Sequence, residues 1–240
     1  MENKQNATSE TVSKEKAKSK TDITVKANKK GRHVMKLMNV LRAIVIPVYW
    51  LVRPFRFYGD YKVKDGACIY ICNHYGLMDV VYPAATTWEG IHFIAKKEVE
   101  KMPLIGLLFR KFKGISANRD GSDVRVLLNA FKCLKNGEKI CIYPEGTRNK
   151  TGVELQPFHQ GAAAIAIKSK APIIPVMMYE KPRYFRMAHI LVGKPFELTE
   201  YYDRKLTEAE YNEASKKLEE IMLNMRKQHT EFLKSKKKKA

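Results

Sequence analysis

Ala67-Cys68-Ile69-Tyr70-Ile71-Cys72, followed at once by Asn73-His74-Tyr75-Gly76-Leu77-Met78-Asp79, is the passage on which the fold class turns. Its first part is a short, unbroken apolar run and reads as a buried strand. The chain leaves that strand through a histidine and reaches an aspartate at the start of a helical stretch, residues 79–86. Outward from here the same alternation recurs. Residues 92–95, 139–143 and 173–179 read as strands. Residues 104–112, 124–136 (stopped by Gly137) and the Ala-rich 161–169 read as helices. The expected fold is α/β: a single domain over residues 59–204 with a central, mostly parallel β-sheet flanked by helices, plus an N-terminal interfacial helical membrane-binding segment.

The flanks differ from this domain in composition. Residues 1–31 are poor in apolar side chains and rich in Lys, Ser, Thr and Asn, and are expected to be a disordered basic tail. Residues 32–58 are expected at a membrane interface. Within them, residues 38–52 are almost continuously apolar, interrupted by Asn39, Arg42 and Pro47 and flanked by Arg32, Lys36, Arg53 and Arg56. That run falls short of the roughly 20 apolar residues a spanning helix needs. Tyr49, Trp50, Phe55, Phe57 and Tyr58 crowd its far end as interfacial aromatics do. An interfacial helix is expected, with a helix packed on the domain core as the alternative. Thr207-Glu208-Ala209-Glu210 has the S/T-x-x-E form of a capping box and opens an amphipathic helix placed at residues 205–234, with a basic tail at 235–240.

Net charge is +20, with +6 in residues 1–36 and +6 in residues 226–240, which leaves +8 between them. Basic tails attract anionic surfaces, whether nucleic acid or anionic lipid, or else stay solvated and aid solubility. No aromatic precedes Tyr49, which argues against a base-stacking binder, and no nucleic-acid partner is expected. Cys68, Cys72, Cys133 and Cys141 show no CxxC spacing, so neither a metal nor a cofactor is expected. The Lys-rich start of the chain is not a secretory signal. A reduced compartment follows, and the expected location is the cytoplasmic face of a membrane, peripheral or monotopic.

Two short motifs carry chemistry. His74 and Asp79 stand at HxxxxD spacing where a strand ends, an edge at which α/β domains present functional side chains. A neutral imidazole there can take a proton from an alcohol if Asp79 holds its other nitrogen, as in a serine-type triad whose serine is replaced by the substrate hydroxyl. Glu145-Gly146-Thr147-Arg148 follows a second buried strand. Arg148 offers a planar fork for a phosphate, and Glu145 either orients Arg148 or touches substrate. A surface turn with a local Glu–Arg pair is the plainer alternative.

The order of these motifs resembles the glycerolphosphate acyltransferase family, specifically the 1-acylglycerol-3-phosphate acyltransferases. The resemblance covers roughly residues 57–200. It is carried by Asn73-His74 through Asp79, by Phe93-Ile94-Ala95-Lys96-Lys97-Glu98 with Pro103 and Gly106, and by Gly114-Ile115-Ser116-Ala117-Asn118-Arg119. It continues through Tyr143-Pro144-Glu145-Gly146-Thr147-Arg148 and through Phe158, Gly161-Ala162 and Ile174-Pro175-Val176. It implies His74 as general base and Asp79 as its partner. It also implies that Glu145, Gly146, Thr147 and Arg148 shape the acceptor site, with Arg119 as a second phosphate ligand and Lys96 adding positive charge. The implied partners are acyl-CoA or acyl carrier protein as donor, a lysophospholipid acceptor and an anionic membrane surface, the product being phosphatidate. Gly76 stands where the family commonly has Ser, and Asn118 where it has Asp.

Three alternatives accompany this expectation. Cys72, two residues before His74, could form a Cys–His acyl-enzyme. Another acceptor, such as glycerol 3-phosphate or a different lysophospholipid, would use the same chemistry. A basic membrane- or nucleic-acid-binding module without catalysis would account for the tails alone.

Overall fold

The computed structural model describes residues 29–60, 66–118 and 124–237. The tail expected over residues 1–31 lies outside the described residues up to residue 28, as do residues 238–240 of the C-terminal tail. The helices are α1 (Lys29–Val52), α2 (Val81–Ala85), α3 (Ile105–Lys111), α4 (Val124–Lys135), α5 (Gly161–Ser169) and α6 (Glu208–Lys237). The strands are β1 (Phe55–Gly59), β2 (Cys68–Cys72), β3 (Ile91–Lys96), β4 (Ile115–Ala117), β5 (Lys139–Ile142), β6 (Ile173–Met178) and β7 (Ala188–Val192). Short 3-10 turns at Leu77–Val80, Lys97–Lys101 and Thr199–Tyr201 complete the order.

All seven strands join one sheet in the order β1-β7-β6-β2-β5-β3-β4. β6, β2, β5, β3 and β4 run parallel. β7 is antiparallel to β6, and β1 is parallel to β7. The α/β fold with a mostly parallel sheet is thus as expected. β2 lies between β5 and β6 and is buried at every position, because helices cover both of its faces.

Side-chain alternation sorts the core into two layers. On one face Ile69, Ile71 and Ile140 meet Ala130 and Leu134 of α4, Ala163 and Ala166 of α5, and Ala214, Leu218 and Met222 of α6. The small side chains of α5 let that helix lie close to the sheet. On the other face Tyr70, Cys72, Cys141 and Val176 pack with Tyr82 of α2 and Tyr49 of α1.

The N-terminal segment departs from expectation in one respect. Phe55 and Phe57 belong to β1, paired with Ala188 and Ile190 of β7, and sit edge-to-face at 5.3 Å. Phe55 also packs on Tyr82 at 5.4 Å. These rings serve the core, and the division expected between residues 58 and 59 falls inside a strand. Helix α1 buries one face against the domain and leaves apolar side chains exposed on another. Arg42 is buried and donates through Nη2 to the Glu89 carbonyl at 2.6 Å, while Val40, Ile44, Val45, Val48 and Leu51 are exposed. No helix among the described residues is long and apolar enough to cross a membrane. At the other end, Glu210 accepts the Thr207 N–H at 2.8 Å and donates its own N–H to Thr207 Oγ1 at 3.3 Å, so the capping box forms and α6 runs on to Lys237.

Candidate active site

Parallel neighbours end at the same edge, so the order β2-β5-β3-β4 sets their exits in a row. β2 delivers His74, β5 delivers residues 145–148, β3 ends at Lys96, and β4 leads toward residue 119. With strands about 4.8 Å apart, β3 lies about 10 Å from β2 and β4 about 14 Å.

The exit of β2 is pinned first. Asn73 is fully buried; its amide donates to the Met178 carbonyl at 2.9 Å and its Oδ1 accepts the Met178 N–H at 2.8 Å. The side chain continues the β2–β6 ladder one step beyond the backbone. His74 then turns out of the sheet. Its N–H donates to Glu145 Oε1 at 2.7 Å, its carbonyl accepts the Asn149 N–H at 2.6 Å, and its ring stacks on Tyr143 at 4.3 Å.

Asp79 closes the bend. Its Oδ2 lies 3.0 Å from His74 Nδ1 and accepts the N–H groups of Tyr75 at 2.6 Å and Gly76 at 2.7 Å. The backbone donors fix that oxygen as an acceptor, so Nδ1 carries a proton toward it, the tautomer in which a neutral ring keeps its lone pair on Nε2. Nε2 makes no hydrogen bond among the described residues, and the His74 side chain remains partly accessible while Asp79 is buried. Gly76, where the family commonly has Ser, meets Asp79 through its backbone.

Glu145 is held between the two motif loops. It is 2% exposed; Oε1 takes the His74 N–H and Oε2 takes the Gln156 N–H at 3.1 Å. Burial pushes its carboxyl above the usual range, against the pull of those two hydrogen bonds and of His74. With one oxygen on each backbone donor, it ties the two motif loops together. Gly146 sits at φ +62°, and a Cβ there would come within 2.7 Å of the His159 ring. Thr147 and Arg148 are exposed on this loop, as Lys96 is at the end of β3, and neither cation has an ion-pair partner among the described residues. Arg119 lies outside the described residues.

Sequence reasoning names Asn73 only as the start of the first motif, with no role, and does not name Asn149. Asn149 is buried, donates to the Val153 carbonyl at 2.8 Å and accepts from Thr151, so it shapes the 149–153 turn. The only available signal was their place beside each motif. Cys72 is unsuited to nucleophilic attack. It is 1% exposed, its Sγ lies 3.7 Å from Cys141 Sγ, and burial pushes its thiol well above the ordinary value. At the opposite edge of the sheet His92 Nε2 stands 3.3 Å from Glu138 Oε2, with Nδ1 3.0 Å from the Lys113 carbonyl. Through these two contacts His92 links the start of β3 to the α4–β5 turn and to the Lys113 backbone.

The acyltransferase family matches residues 54–179, from just before β1 to just after β6. Among relatives, human 1-acyl-sn-glycerol-3-phosphate acyltransferase beta is 31% identical over 140 residues, covering 53% of this chain and 50% of that protein. The Helicobacter pylori 1-acyl-sn-glycerol-3-phosphate acyltransferase is 35% identical over 122 residues, covering 50% of this chain and 52% of its own. The chain thus spans about half the length of the curated relatives it matches. The crystal structure of the 1-acyl-sn-glycerophosphate (LPA) acyltransferase PlsC from Thermotoga maritima shares the fold, with a TM-score of 0.61 at 22% identity over 84% of this chain and 82% of that one. With one family matching residues 54–179 of 240 and both motifs lying within that match, this chain belongs to the acyltransferase family.

Proposed function

We propose that the protein transfers an acyl group from a thioester, acyl-CoA or acyl carrier protein, to the sn-2 hydroxyl of 1-acylglycerol 3-phosphate, giving phosphatidate. His74 carries this reading: Nδ1 is held 3.0 Å from Asp79, which leaves Nε2 free at an edge shared with Arg148 and Lys96. In the reaction Nε2 takes the hydroxyl proton as the oxygen attacks the thioester carbonyl. Backbone N–H groups of the motif turns receive the oxyanion. Collapse of the tetrahedral intermediate breaks the C–S bond, and the imidazolium, stabilised by Asp79, returns its proton to the thiolate. Arg148, Lys96 and Arg119 hold the acceptor phosphate so that its hydroxyl meets His74. The histidine–aspartate pairing and the names of the relatives support the reading together.

The exposed apolar side chains fit a lipid-surface enzyme. β1 runs opposite to β2, so the C-terminal end of α1 lies at the same sheet edge as His74. Phe185 N–H donates to the Val52 carbonyl at 2.8 Å, and the Arg53 guanidinium lies 4.1 Å over the Tyr184 ring. Leu51 and Phe185, 69% and 77% exposed, therefore stand at the sheet edge that carries His74, near β1 and three strands from β2. A peripheral seat on the anionic cytoplasmic face of a membrane lets lipid acceptor and product enter and leave without crossing water.

The test is acyl transfer from labelled acyl-CoA to lysophosphatidate in mixed micelles, wild type beside His74→Ala. Phosphatidate from the wild type and none from the variant is the expected result. Equal product from both rules out His74 as base. No product from either moves the proposal to another acceptor such as glycerol 3-phosphate, or to a binding protein without catalysis.

A further inference from the structure

We propose that the cleft bounded by the 149–154 turn, the residues after β6 and helix α6 binds the nucleotide phosphates of coenzyme A, on the side of His74 away from the acceptor phosphate. The inference rests on acyl-CoA being the donor. The cleft holds about 360 Å³, within the range of about 300–1,000 Å³ for small-molecule sites. Lys150, Lys181, Arg183 and Arg226 line it with Tyr75 and Tyr179, against only two carboxylates, Glu154 and Glu180.

Its place in the sheet gives it a separate task. Lys96 and Arg148 follow β3 and β5, both on one side of β2, whereas Lys181 and Arg183 follow β6 on the other. Tyr75 is next to His74 in the chain, and Asn149, also lining the cleft, donates its N–H to the His74 carbonyl. In sheet order the exit of β2 therefore lies between Lys96 and Arg148 on one side and Lys181 and Arg183 on the other, with Lys150, two residues past Arg148, reaching the cleft from the β5 loop. A transfer reaction needs two substrates to approach one proton acceptor from different directions, and this arrangement supplies them.

The cations of the cleft have spare hydrogen-bonding capacity. Arg226 Nη1 is buried without a hydrogen-bond partner; its Nη2 lies 3.5 Å from Glu154, and the guanidinium sits 5.2 Å over the Tyr179 ring. A buried guanidinium N–H left unpaired is unfavourable, and a phosphate oxygen is the partner its planar fork suits best. Lys150, Lys181 and Arg183 are exposed and have no ion-pair partner among the described residues. Several cations around one cavity match the 3′-phosphate and diphosphate of coenzyme A, and the tyrosines offer faces for its adenine.

The experiment uses the full chain and needs no turnover for its first arm. Calorimetric titration with adenosine 3′,5′-bisphosphate is run on wild type and on the double variant Lys181→Gln/Arg183→Gln, with both substituted side chains exposed. Wild type is expected to bind, and the double variant to bind at least tenfold more weakly. In steady state its KM for acyl-CoA should rise by a similar factor, with KM for lysophosphatidate changed less than twofold. Absence of nucleotide binding by wild type, or equal binding by both proteins, overturns the proposal. A rise in KM for lysophosphatidate alone overturns it by giving the cleft to the acceptor phosphate. Weaker sedimentation with phosphatidate-containing vesicles at unchanged nucleotide affinity overturns it by giving the cleft to membrane headgroups. Variant-sensitive nucleotide binding without any acyl transfer to lysophosphatidate upholds the cleft and removes only the acceptor assignment above.

Discussion

Asp79 Oδ2 holds His74 Nδ1 at 3.0 Å with the same oxygen that receives the N–H groups of Tyr75 and Gly76. One atom thus fixes the ring and the bend that carries it. Asp79→Asn at this position removes the charge that stabilises an imidazolium and frees the imidazole to take the other tautomer. The expected result is a fall in kcat of about 10²- to 10⁴-fold with KM for either substrate nearly unchanged. A KM effect without a kcat effect in steady-state assays would contradict this role.

Glu145 is predicted to matter for stability as well as turnover. Glu145→Gln keeps one acceptor oxygen but turns an amide N–H₂ toward a second backbone donor, leaving either His74 N–H or Gln156 N–H unpaired in a buried site. The expected loss is about 1–3 kcal/mol in denaturant unfolding, with kcat down by more than tenfold. A variant as stable as wild type would show that the two loops hold without the tie.

Much of the fold was legible because burial on both faces writes continuous apolar runs. β2, β5, β6 and α5 sit within a residue of where those runs placed them. The antiparallel edge was not legible. Phe55-Arg56-Phe57-Tyr58-Gly59 reads equally well as an interfacial aromatic cluster, and Ala188-His189-Ile190-Leu191-Val192 is short and carries a histidine. At the site, the His74–Asp79 pair could be read from spacing because a single bend makes it. The Glu145 tie could not, since its partners lie 71 and 11 residues away and meet it only once β5 lies beside β2. Arg226, on a helix far along the chain, gave no sequence signal at all.

Cys72→Ala should retain kcat within about threefold while losing on the order of 1 kcal/mol of stability, as small core deletions do. The thiol is buried beside Cys141 and its proton is held tightly. In the native protein it should also resist alkylation until denaturant opens the core, as followed by mass spectrometry. Loss of activity with the fold intact would reopen the covalent route.

The start of α6 gives a pH signature. Hydrogen bonds from Thr207 and Arg204 hold the Glu210 carboxyl down to about 2, against about 4.3 for a free glutamate. A depressed acid stabilises the folded state above its unfolded value, and that contribution is lost as pH falls through the folded one. The melting temperature of Glu210→Gln should therefore lie below that of wild type at pH 7. The two should converge between about pH 4.3 and pH 2. A gap that persists at pH 2 would assign the effect to packing.

The carboxylate of Glu145, reaching the peptide N–H of His74 across two neighbouring strands, also bears on how the molecule matures. Residues 74–79 cannot acquire their working shape alone, because the peptide that carries the imidazole is held from outside. Closing the long loop between β2 and β5 must come first, and closures of that length are slow beside helix formation. Recovery of turnover after dilution from denaturant will therefore trail recovery of helical ellipticity. Enzymatic competence in this chain is a late reporter of folding, switched on by the docking of two strands.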